Sequence, residues 1–269
     1  MKKKISITGC GWLGFPLAKH FVDNGYVVKG STTTKAKLKT LSNAGIEAFT
    51  IQLNEKGITG NYPDFFKESD TVIINIPPGL RKNPNKNHVE EIQHLIKAIA
   101  TQSIKNIIYI SSTSVFNDES DFPVINDSSA PNATTSSAKQ LIAIEDALQK
   151  NPKFNTTIIR FGGLYDSQRH PAKFLASKTN ISNPEAPVNL IHKEDCINII
   201  SLVLKKNIQN EILNAVHPDH PSKKEYYTNY CKEHQLELPK FNMEEKNKGK
   251  LIESIKLEQL LNYSWKQAL

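Results

Sequence analysis

The stretch ISITGCGWLGFPLAKHF, residues 5–21, joins an apolar, β-branched run to three glycines in G-x-G-x-x-G spacing and then to a helical pattern. Strand, glycine turn and helix in that order predict the phosphate-binding turn of a dinucleotide site. Gly9 suits the tight turn, Gly11 lets the backbone approach a pyrophosphate, and Gly14 lets the helix pack close on the strand. The helix N-terminus, reached through Trp12 and Leu13, adds unpaired N–H donors and a positive dipole end. A glycine turn with no ligand is the alternative, but a second strand at the right distance favours a cofactor.

An acid usually follows that second strand and accepts hydrogen bonds from the adenosine ribose. Here residues 30–37 read GSTTTKAK, with no acid. The repulsion that would exclude a 2′-phosphate is therefore absent. Ser31, Thr32 and Thr33 offer hydroxyls and Lys35 a cation, all suited to phosphate. The same Ser and Thr also suit helix capping before KAKLKTL. NADP is expected in preference to NAD, with NAD possible.

Downstream, the runs IEAFTI, TVIINI, NIIYI and TTIIR alternate with helical patterns, as in βαβ units around a parallel sheet. Val89, Ile92, Leu95, Ile96 and Ile99 recur at helical spacing and predict a crossover helix over residues 88–101. Ile76 and Pro77 close the fourth strand beside the cofactor, and Arg81 sits in the basic loop PPGLRKNPNKN at the sheet edge where such folds bind ligands. After residue 161 a long Gly- and Pro-marked segment precedes a helix from Glu194 to Lys205, the strand EILNAV and a helix after Pro221. A short strand and a helix end the chain.

At 269 residues, the chain suits one large α/β domain with a small appended lobe. It carries 34 Lys and Arg against 27 Asp and Glu, a net charge of +7 spread along the chain. A basic surface attracts phosphorylated small molecules as readily as nucleic acid, and no nucleic-acid motif is present. No apolar run is long enough to span a membrane, and the basic start lacks the apolar core of a signal peptide, so a cytoplasmic protein is expected. Cys10, Cys196 and Cys231 have neither disulfide nor zinc spacing. The prolines of HPDHP prevent a helical His217–His220 metal pair, and no metal is expected.

From NIIYISSTSVFNDESDFPVINDSSAPNATTSSAK onward, the chain resembles the extended branch of the short-chain dehydrogenase/reductase superfamily. The closest likeness is to its nucleotide-sugar epimerases and dehydratases, and among these to an atypical NAD(P)-binding group. SSTSVFN stands for the family's SSxxVYG; IIRFGGLYD and VNLIHKED resemble its sixth strand and its return to the cofactor domain. The short GCG turn and TVIINIPPG look more like 3-hydroxyacid dehydrogenases, but the later motifs do not.

This resemblance implies a doubly wound Rossmann sheet over residues 1–163, rejoined at about 188–216. A small α+β substrate lobe would comprise 164–187 and 217–269. It implies hydride transfer between nicotinamide and the carbinol carbon of a phosphorylated or sugar-nucleotide substrate. Ser112 falls on the serine that polarises the substrate oxygen, and Lys139 on the lysine that holds the nicotinamide ribose, with Pro131 upstream.

Thr135 stands where the family has its catalytic tyrosine. An aliphatic hydroxyl is too weak an acid to replace a phenol, so Thr135 would act only by holding a water. Tyr165 is then the candidate proton donor. Arg169 and His170 are candidates for binding an anionic substrate, and His192 reads as an ordered residue at a helix start. A monomer or homodimer is expected. The alternative is a catalytically silent NADP(H)-binding sensor.

Overall fold

The computed structural model describes residues 3–269; Met1 and Lys2, part of the basic start, lie outside the described residues. Strand β1 (Lys4–Thr8) leads into helix α1 (Gly14–Asp23), β2 (Val27–Thr32) into α2 (Leu38–Asn43), and β3 (Glu47–Asn54) folds back into β4 (Gly57–Gly60). Next come α3 (Tyr62–Phe66), β5 (Thr71–Ile74), α4 (His88–Ala100), β6 (Asn106–Ser112), β7 (Val124–Ile125), α5 (Ser136–Gln149) and β8 (Asn155–Phe161). The remainder holds β9 (Gly163–Tyr165), α6 (Pro171–Leu175), β10 (Leu190–His192), α7 (Lys193–Lys205), β11 (Ile212–Ala215), α8 (Lys223–Glu233), β12 (Leu251–Ile252) and α9 (Ile255–Leu261).

One eight-stranded sheet runs β11-β8-β6-β5-β1-β2-β3-β4. From β1 the order steps one way to β2 and β3 and the other way to β5 and β6, the doubly wound arrangement with its switch point beside β1. Register is parallel across this centre, with Ile5 opposite Val28 and Ile7 opposite Ile73. Ile5, Ile7, Ile73, Ile74, Ile107 and Ile108 are all buried, so these strands read as continuous apolar runs. The edge strand β4 pairs antiparallel with β3, a hairpin that the glycines of KGITG hide from periodicity.

Helix α4 shows how the sequence sets an element. The Asn87 side chain caps it by accepting the Glu90 amide, Glu90 and Glu91 occupy its first turn, and Lys97 its last. Ile92, Leu95, Ile96 and Ile99 form the buried stripe, each contributing about 2 kcal/mol through removal from water.

The chain forms two compact units. The first takes the chain to Ser112 together with Thr134–Ile159 and Ile200–Ile212; the second takes Thr113–Ala133, Arg160–Ile199 and Leu213–Leu269. This second unit is larger than the lobe drawn from the sequence. Its additional segments join it through pairings distant in sequence: β7 with β12, Glu119 with Gly249, and β9 with β10. The Gly- and Pro-marked segment after residue 161 therefore contains two strands and a short helix. Among the described residues no helix is long and apolar enough to cross a membrane.

Candidate functional site

In the first unit the glycine turn lies at the switch point of the sheet. Gly9 has φ +83°, and a Cβ there would sit 2.4 Å from the Asn75 carbonyl oxygen. A Cβ on Gly14 would lie 2.2 Å from the Gly9 oxygen. Both glycines are demanded by the fold. Gly11 differs: a Cβ there would meet nothing within 4 Å, so packing gives no reason for its glycine, whereas close approach of a ligand does.

The turn is braced from two sides. Ser31 accepts the Gly9 amide on its hydroxyl at 3.1 Å and the Cys10 amide on its carbonyl at 2.8 Å. The Asn75 side-chain amide donates to the Gly9 carbonyl at 3.1 Å. At the start of α1, the Leu13 and Gly14 amides find no acceptor among the described residues. Two unpaired N–H groups at a helix N-terminus, beside open space at Gly11, fit the pyrophosphate of a dinucleotide. Burial pushes the Cys10 thiol up to about 12 and leaves it inert.

At the end of β2 the four residues expected to face a phosphate divide. Ser31 and Thr32 are buried, and Thr32 accepts the Thr34 amide at 3.2 Å. Thr33 and Lys35 are exposed, and neither side chain has a partner among the described residues. The 3₁₀ turn over Lys35–Lys37 has no side-chain cap, so capping does not account for the exposed hydroxyl of Thr33. Ile76 is half-buried, while Pro77 and Arg81 are exposed.

Ser112 ends β6, half-buried. Its neighbour Ser111 is buried and donates to the Glu145 carboxylate at 2.5 Å. Thr135 is the N-cap of α5, its hydroxyl accepting the Ala138 amide at 3.2 Å. Lys139 lies one turn further along the helix, exposed and with no partner for its amine among the described residues.

The other candidates belong to the second unit. Tyr165 is buried, and its hydroxyl donates to the Ala268 carbonyl at 3.0 Å. Burial, with the carboxylate of Asp195 nearby, pushes this phenol up to about 12, away from the range of an efficient neutral acid or base. His170 is also buried; its Nδ1 accepts the Ala172 amide and its Nε2 donates to the Tyr226 hydroxyl. Burial, His234 and Lys173 lower its pKa to about 4, so it is neutral at physiological pH and offers no cation to an anionic substrate. Arg169 is exposed, its amide held by Asp166 at 2.6 Å. His192 stands at the start of α7, its Nδ1 accepting the Glu194 amide at 3.3 Å.

Two residues went unrecognised in the sequence. Asn75, in the turn after β5, fastens the glycine loop; its only signal is a polar residue ending an apolar strand. Gly30 is required because a Cβ there would lie 2.8 Å from the Cys10 sulfur.

Comparison with known proteins agrees with this geometry. The NAD(P)H-binding family matches residues 9–191. The Escherichia coli (strain K12) protein YeeZ is 30% identical over 265 residues, covering 98% of this chain and 96% of that one. Among solved structures, MoeE5 in complex with UDP-glucuronic acid and NAD superposes with a TM-score of 0.80 at 15% identity, over 98% of this chain and 94% of that one. The UDP-N-acetylglucosamine 4-epimerase from Bacillus cereus gives 0.79 at 17%, over 99% and 92%. The glycine turn at the switch point, the unpaired helix amides behind it and the match from residue 9 to 191 agree that this chain belongs to the NAD(P)H-binding family, with the Rossmann fold of the epimerases and dehydratases.

Proposed function

We propose that the protein is a cytoplasmic NADP(H)-dependent oxidoreductase of the epimerase-like kind, acting on a carbinol carbon of a small substrate. The observation that carries this proposal is the open space at Gly11 beside the two unpaired amides of α1, a cradle that packing does not explain. When bound, the nicotinamide would supply the hydride chemistry. Leu13 and Gly14 would hold the pyrophosphate through their amides, and Thr33 and Lys35 would receive the 2′-phosphate. Lys139 would hold the nicotinamide ribose, and Ser112 would donate a hydrogen bond to the reacting oxygen.

No side chain among these is a strong proton donor. A water held at Thr135 would have to hydrogen-bond a hydroxyl already accepting the Ala138 amide, which a hydroxyl's second lone pair and its own proton allow. A second reading, a catalytically silent NADP(H)-binding protein, is favoured by the same contact, because Thr135 has a sufficient structural reason to be threonine. Titration with NADPH and then NADH, followed by energy transfer from Trp12, tests cofactor choice. Tighter NADPH binding that Lys35→Ala reduces about tenfold supports the phosphate site; equal binding of the two removes it. Turnover of a sugar-nucleotide panel, lost in Ser112→Ala with NADPH affinity kept, separates enzyme from sensor.

A further inference from the structure

Helix α8 of the second unit carries rings at a spacing of four residues, Tyr226 and Tyr230, continued by His234 at its C-cap, with Glu225, Asn229 and Glu233 one position ahead of each. This spacing brings ring over ring along one helix face. Tyr230 and His234 stack at 3.8 Å and 11°, and His170 stacks on the opposite side of Tyr230 at 3.7 Å and 3°. The column of three parallel rings lines a cavity of about 770 Å³, within the size range of small-molecule sites. Tyr165 packs edge-on against both His170 and His192, which also line it.

The polar groups around this space are unevenly satisfied. Asp166 is neutralised by Lys193 and by the amides of Gln168 and Arg169. Lys173 is turned onto the Ser167 carbonyl at 2.6 Å. Glu225 and Glu233, by contrast, are exposed, and their carboxylates make no hydrogen bond or ion pair among the described residues. Two unpaired carboxylates therefore stand beside a wall of rings, with the ammonium of Lys173 held on a neutral carbonyl.

We propose that this cavity binds a flat aromatic ring bearing a cationic amine, the ring packing among Tyr165, Tyr226 and the His170–Tyr230–His234 column while the ammonium faces Glu225 and Glu233. Aromatic faces attract cations, and the two carboxylates oppose phosphate or carboxylate ligands. The residues that line this site all belong to the second unit, and the proposal does not depend on the nicotinamide reading.

Calorimetry on the full chain, without nicotinamide, tests it with three probes: tryptamine, indole-3-propionate with the same ring and opposite charge, and butylamine with no ring. Tryptamine is expected to bind about tenfold or more tighter than either of the others. Glu225→Gln/Glu233→Gln, at exposed positions that leave the core intact, should weaken tryptamine about tenfold while leaving neutral 3-methylindole unchanged; Tyr230→Leu should weaken both, with thermal melting verifying that the variant folds. Absence of tryptamine binding at about 10 mM, equal affinity for indole-3-propionate, or a tryptamine affinity unmoved by the double Gln variant would overturn the proposal.

Discussion

At the scale of single residues, the three glycines of the turn have different physical causes although they look alike in sequence. Gly14 and Gly9 are forced by backbone atoms within 2.4 Å of an added Cβ, whereas Gly11 faces open space. Gly11→Ala is therefore expected to melt within about 1 °C of the parent, since an uncrowded surface change costs at most a few tenths of a kcal/mol, yet to bind NADPH about tenfold more weakly. Gly14→Ala should lower stability itself by about 2 kcal/mol or more through overpacking. Thermal melting and a cofactor titration on both variants read the two effects separately, and a Gly11→Ala protein that binds NADPH normally would remove Gly11 from the site. The spacing made the motif legible, but which glycine serves the ligand was not, because it depends on where the Asn75 carbonyl and the Gly9 carbonyl lie in space.

At the scale of elements, a buried cluster fastens the loop after β5 to the helix that carries Lys139. Lys86 and His88 both contact the Glu91 carboxylate, at 2.7 and 3.0 Å. Gln140, the residue after Lys139, accepts the His88 amide at 2.6 Å and donates to the Lys86 carbonyl at 3.1 Å. Gln140→Leu strands both backbone groups, an expected loss of about 1–3 kcal/mol. Hydrogen exchange should then quicken at residues 79–88 while β1 and β6 stay protected; unchanged exchange there would show that the Gln140 contacts hold nothing.

None of this clamp was legible in the sequence, since Gln140 and His88 stand 52 positions apart and carry no motif. Elements set by local pattern were legible: the six main strands, the crossover helix, and α7 and α8 all form where apolar period and capping residues place them. The two-residue strands β7 and β12 were not, because each is defined only by its partner in a distant part of the chain. Ring spacing on α8 was present in the sequence too, but its meaning needed the stack contributed by His170 from another segment.

At the scale of the whole molecule, acid sensitivity follows from how the histidines are buried. His20, His88, His170 and His217 all have pKa values lowered, with burial the leading cause in each; His170 falls to about 4. A folded pKa below the unfolded value means that the unfolded chain takes up protons first as pH falls. Stability is then full above about pH 6.5 and declines below it, for His170 across the window from about 6.5 to about 4. Each such histidine contributes up to about 1.4 kcal/mol per pH unit while the unfolded form is protonated and the folded form is not. Melting temperature should accordingly drop between pH 7 and pH 5. In His170→Gln, whose amide can still meet Tyr226 but cannot titrate, the drop should be smaller even if the variant melts lower at pH 7. Parallel pH profiles for parent and variant would instead mean that His170 titrates alike in the folded and unfolded chain, and that the loss between pH 7 and pH 5 comes from the other buried histidines, since Asp166, whose pKa is held low by Lys193, loses its contribution only at lower pH.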